Sequence, residues 1–156
     1  MTKLLLSLHV LASILAVGPV TVAASMFPRY ARPPAPGGKG AGDHDPRTAA
    51  FLHKICRVYA MVGIAVPVLG FATGAQMGVL GDAWLLVSIV LTTIAAAVLM
   101  AMVLPGQREL LGEEEGTVAE RRAAAGRLAM TTGIFNLLWA TVVVLMIVRP
   151  GSTTGA

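Results

Sequence analysis

Four side chains carry most of the chemistry that the apolar stretches of this sequence can offer: His9, His53, Arg57 and Asn136. A histidine in hydrocarbon can ligate haem iron, relay a proton or hydrogen-bond a neighbouring helix. A haem held by His9 and His53 together needs both imidazoles at one depth. In antiparallel helices His9 lies near one end of its apolar run and His53 near the opposite end. At ~1.5 Å per residue across a ~30 Å hydrocarbon core they stand roughly 15–20 Å apart, too far for one iron. A haem on His9 alone is an alternative; a bond from His9 to another helix or a lipid headgroup is the simpler reading. Asn136 can bond a partner helix, for about 1 kcal/mol, but a single amide does not mark a substrate site.

The remaining candidates are weaker. A proton or ion pathway needs a chain of acids or histidines, and no Asp or Glu lies within the apolar runs. Cys56 is the only cysteine, so neither an intrachain disulfide nor a cysteine metal cluster is expected. Asp43-His44-Asp45 sits in a Gly/Pro-rich stretch with no further ligand nearby, and reads as solvated. Glu113-Glu114-Glu115 is balanced by Arg108, Arg121 and Arg122. Met61, Met77, Met100, Met102, Met130 and Met146 are dispersed rather than clustered as copper would require, and are expected to fill the core. No G-x-S-x-G, Walker loop or H-E-x-x-H is present. No catalytic residue, cofactor or metal site is therefore expected on this chain.

The elements that hold these residues are membrane helices. Of the 156 residues 56% are hydrophobic and only 13% charged, about half the charge of an ordinary soluble domain. The apolar residues are gathered into runs at about 4–27, 49–76, 83–104 and 123–148, each long enough to cross a bilayer. The expected fold is all-α: four transmembrane helices in one antiparallel bundle. The first run resembles a signal peptide but exceeds a usual apolar core in length, and is read as a retained helix that Pro19 kinks. Asp82 is placed to cap the third helix. Between the runs, 28–48 holds five prolines and four glycines, and 105–122 is rich in charge; both read as exposed loops.

Charge sets the expected orientation. Arg29, Arg32, Lys39, Arg47, Lys54, Arg57, Arg108, Arg121, Arg122 and Arg127 lie on the side of those two loops, against Lys3 and Arg149 on the other. The positive-inside rule places both loops in the cytoplasm and both termini outside. The net charge of +4 and pI near 9.8 reflect these flanking bases and headgroup contacts, not nucleic-acid binding. Nine Arg against three Lys is usage typical of a GC-rich bacterial genome, and the bacterial cytoplasmic membrane is the expected location.

Small residues supply the remaining signal. Gly70, Gly74 and Gly78 recur at i, i+4 and i+8, and Gly126, Ala129 and Gly133 line the fourth helix. Such faces let backbones approach closely, either within the chain or on another subunit.

The segment LHVLASILAVGPV, residues 8–20, resembles the opening helix of a family of uncharacterised bacterial integral membrane proteins that often begin Leu-His-Val/Leu-Leu-Ala; this chain has Ala16-Val17-Gly18-Pro19 where that family tends to Trp-Val-Gly-Gly. In size, helix count and residue usage the chain also resembles the small accessory subunits of the actinobacterial cytochrome bcc–aa3 respiratory supercomplex. That resemblance implies a non-catalytic subunit beside the oxidase, with haem and copper on other chains and membrane subunits and lipids as partners. A stand-alone transporter or channel is the alternative, with His9, Thr92, Thr93 and Asn136 as its only polar route; lipid or quinone between the helices fits either reading.

Overall fold

The computed structural model describes residues 2–34, 44–112 and 116–151, and among them the chain is helical with no strand. Four helical spans are long and apolar enough to cross a membrane: Thr2–Ala31, Pro46–Met77, Ala83–Gly112 and Val118–Val148. Their outer surfaces carry large apolar side chains such as Leu15, Phe51, Phe71, Leu137 and Ile147. In water that surface would be untenable; against lipid tails it is the expected exterior. This is an all-helical membrane protein.

Helix α1 is Thr2–Ala31 and runs uninterrupted through Pro19 and Pro28. The second span is broken into α2, Pro46–Val62, and α3, Ala65–Met77, where the sequence pattern suggested one helix. Pro67 explains the break. Its ring clashes with the carbonyl four residues back, at Gly63, and it offers no N–H to that carbonyl. The backbone turns there, and Val66 N–H donates to Gly63 O at 3.1 Å instead. The third span is α4, Ala83–Val98, a π-helical turn at Leu99–Val103, and α5, Leu104–Gly112. Pro105 stands in the first turn of α5, where a missing N–H is tolerated. The wide turn before it lets the span continue past a proline that would otherwise end it. The fourth span is α6, Val118–Val148.

The loops at 28–48 and 105–122 are consequently shorter than the sequence pattern suggested. Asp45 caps α2, accepting from Arg47 N–H at 3.0 Å and from the Thr48 hydroxyl, with Pro46 opening the helix. Thr117 and Glu120 form a reciprocal capping box that starts α6 five residues earlier than the apolar run implied.

The two ends of the bundle differ. At the loop end α1, α2, α5 and α6 close on one another around Ala24, Phe27, Ala49, Cys56 and Val103, all essentially inaccessible. At the other end, where α1 starts and α6 finishes, α1 lies along α3 and α4 lies along α6, while α3 and α4 meet little beyond their connecting turn. None of the first fourteen described residues of α1 is fully buried.

Candidate functional site

The parting between α3 and α4 is a cleft of about 960 Å³, lined almost wholly by apolar side chains of α1, α3, α4 and α6. Its lining runs from Val148 and Arg149 at the termini inward to Ile14, Val66, Thr93 and Trp139. Ten helical residues separate Trp139 from Arg149, a depth of roughly 15 Å, or half of a ~30 Å hydrocarbon core.

His9 stands in the wall of this cleft. Its Nδ1 lies 3.0 Å from the Val66 carbonyl oxygen. A carbonyl only accepts, so Nδ1 carries the proton and donates, and in the neutral ring Nε2 is the acceptor. The ring also packs on Gly70, where a Cβ would come within 2.8 Å of His9 Cε1. Gly70 is thus the space the imidazole occupies, and His9 ties α1 to α3. The hydroxyls nearby are partly spent on their own helices: Ser13 donates to His9 O at 2.8 Å and Thr93 to Ile89 O at 2.9 Å. Arg149, the only lining residue with a permanent charge, closes α6 in the left-handed conformation with φ 46°. Its guanidinium lies 5.6 Å from the centre of the Trp84 ring, and its Nε donates to Met146 O at 3.3 Å. The Trp84 indole N–H donates to Asp82 Oδ2 at 3.0 Å, so Asp82 occupies the cap position of α4 without capping it by its side chain.

The glycine series divides. Gly70 faces His9, and Gly74 faces Leu85 and Leu80, whose methyls would lie 3.0 and 3.2 Å from its Cβ. Both contacts lie within the chain. Gly78 is not on a packing face: it adopts φ 71° as the left-handed cap of α3 with nothing within 4 Å of its Cβ. On α6 the series points outward. Gly126 and Ala129 are exposed, and space above half-buried Gly133 is open. Asn136, one turn further along, donates from Nδ2 to Ser25 Oγ of α1 at 3.0 Å and leaves its Oδ1 without a partner.

His53 belongs to a separate buried cluster at the loop end. Its Nδ1 is 2.9 Å from Gln107 Oε1, and Gln107 Nε2 donates to Cys56 Sγ at 3.5 Å. Gln107 and Cys56 are fully buried. Sequence reasoning missed Gln107 because Pro105-Gly106 read as the start of a loop. Arg57, Thr92 and the loop-end bases take no part in this cluster; Thr92 lines the cleft instead. His9 bonds to residue 66 and His53 to residue 107, in separate parts of the bundle, and they share no site.

Among the described residues no group of three or more His, Cys, Asp or Glu could hold a metal ion. Asp45 serves as a helix cap, and Asp43 and Glu113–Glu115 lie outside the described residues. Met61, Met100, Met102 and Met130 face outward rather than filling the core, and Met77 and Met146 line the cleft. A thioether is apolar enough to meet lipid at no cost, so periodicity alone could not place it inside.

No protein-family model, no curated protein and no solved structure matches this chain.

Proposed function

We propose that this chain is a non-catalytic accessory subunit of a larger membrane assembly, docked through the outward face of α6. The observation that carries the reading is the open space above Gly133, in line with exposed Gly126 and Ala129. A lipid-facing helix has no need to keep three small residues on one stripe, whereas a partner helix uses them for close approach. The resemblance in size, helix count and residue usage makes the respiratory oxidase supercomplex of a bacterial cytoplasmic membrane the first assembly to probe. The basic end of the bundle then faces the cytoplasm and both termini the opposite side. A transporter fits less well, because the cleft is lined no deeper than Trp139 and Asn136 is not part of it.

The test is a gentle-detergent pull-down of the tagged protein and of Gly133→Leu, read by mass spectrometry and visible spectroscopy. A Cβ at position 133 meets nothing within 4 Å, so folding and helicity should be unchanged while partner recovery falls at least several-fold. Oxidase subunits and haem absorbance in the wild-type eluate support the specific partner. Undiminished recovery with Gly133→Leu rules out this face, and a colourless small species from wild type sinks the subunit reading.

A further inference from the structure

We infer that the cleft between α3 and α4 is a binding site for one anionic phospholipid, with an acyl chain in the cleft and the phosphate at Arg149. Three features of the cleft select this occupant. Its length of roughly 15 Å is the depth of one leaflet, so a chain anchored at the membrane surface fills it and goes no further. Its walls are apolar apart from His9, the Ser13 and Thr93 hydroxyls already bonded to their own helices, the Thr92 hydroxyl and the Trp139 indole, which suits a hydrocarbon chain. Its mouth carries one permanent charge, Arg149, and that charge is positive.

Arg149 is prepared for a phosphate. The left-handed backbone at Arg149 and the Trp84 ring beneath it hold the guanidinium at the rim, and only Nε is bonded, to Met146 O. A guanidinium presents five donors in a planar fork that matches a phosphodiester. Asp82, the neighbouring acid among the described residues, bonds the indole nitrogen of Trp84 and does not line the cleft. A zwitterionic lipid would bring an ammonium to the same rim as its phosphate and lose part of this attraction.

Both tryptophans of the chain report on the site, Trp139 in its wall and Trp84 under Arg149. Intact protein is reconstituted in vesicles in which a rising fraction of the lipid carries bromine on its acyl chains, either on phosphatidylglycerol or on phosphatidylcholine. Bromine quenches tryptophan on contact. The expected result is half-maximal quenching at about a five-fold lower mole fraction of the anionic lipid, the worth of one basic side chain at an anionic surface. Arg149→Gln, a change at a half-exposed helix end that leaves circular dichroism unaltered, should bring the two curves together. Trp139→Phe should remove most of the lipid-sensitive signal, placing the chain in the cleft. Val143→Phe, which fills the cleft from α6, should lower quenching by both lipids. Coincident curves for the two lipids in the wild type would overturn the proposal, as would an anionic preference that survives Arg149→Gln.

Discussion

Replacing Gly70 by alanine should destabilise the protein, and the same replacement should stabilise it once His9 is gone. A Cβ at position 70 would lie 2.8 Å from His9 Cε1 and 3.2 Å from Nδ1, well inside contact distance. The ring is pinned by its bond to Val66 O at 3.0 Å, so it cannot turn aside without losing that bond. Losing an interhelical hydrogen bond in a membrane costs about 1 kcal/mol, and overpacking adds about 1 kcal/mol or more. Against this, alanine favours a helix interior over glycine by about 0.5–1 kcal/mol. The net for Gly70→Ala is a loss of about 1 kcal/mol. In a His9→Ala background the clash and the bond are both absent, and only the propensity gain of about 0.5–1 kcal/mol remains. The sign therefore reverses. Unfolding in mixed micelles with rising dodecyl sulfate, followed by far-ultraviolet circular dichroism, measures all four corners of the cycle. If Gly70→Ala has the same effect with and without His9, the ring does not fill the space at Gly70 and the account of how α1 is fastened to α3 is wrong.

Two further outcomes follow from the buried polar groups and the caps. Gln107→Leu strands the His53 Nδ1–H and should cost about 1–2 kcal/mol. His53→Phe should strand the Gln107 carbonyl in turn, so the double variant should lose less than the sum of the two by about 1 kcal/mol; strictly additive losses would show that the 2.9 Å contact contributes nothing. The Thr48 hydroxyl, and then the backbone N–H groups of Arg47 and Thr48, hold the Asp45 carboxyl below its ordinary range. A lowered folded-state value means that the stabilisation is present above the unfolded value, about 3.9, and is lost as pH falls through the folded value. Asp45→Asn keeps a capping oxygen but cannot titrate, so it should flatten the acid limb of stability below about pH 4 while leaving neutral pH little changed; an unaltered acid limb would remove Asp45 as its source.

The four spans were legible because membrane burial leaves a coarse signal, runs of twenty or so apolar residues, that needs no tertiary knowledge. What the runs could not show is where helices end, since end signals are local chemistry and not hydropathy. Asp45-Pro46 and Thr117-x-x-Glu120 are such signals, each present in the sequence and each starting its helix ahead of the apolar run. Gln107 was hidden for the opposite reason. Pro105-Gly106 breaks a helix unless the preceding turn widens, and the π turn at Leu99–Val103 has no reliable mark in sequence. The glycines were legible as close-approach positions but not as to what approaches. Only coordinates distinguish a histidine ring over Gly70, a leucine over Gly74, a left-handed cap at Gly78 and open space over Gly133.

The cleft itself traces to one proline. Pro67 forces the break at Gly63–Ile64, and the break frees the second half of that span from the line of the first. Below the break α2 is held to α5 by His53, Gln107 and Cys56, and the bundle closes. Above it α3 is drawn to α1 by His9 on Val66 and by the small surface at Gly70. Helix α4 has no equivalent tie to α3. Thr73 and Ser88, the buried hydroxyls of these two helices, both bond their own backbones four residues back. In a membrane, apolar contact alone gives two helices little reason to prefer each other over lipid. With the interhelical side-chain bond of α3 placed on its α1 side, the α4 side is left for lipid to fill, and the cleft opens there.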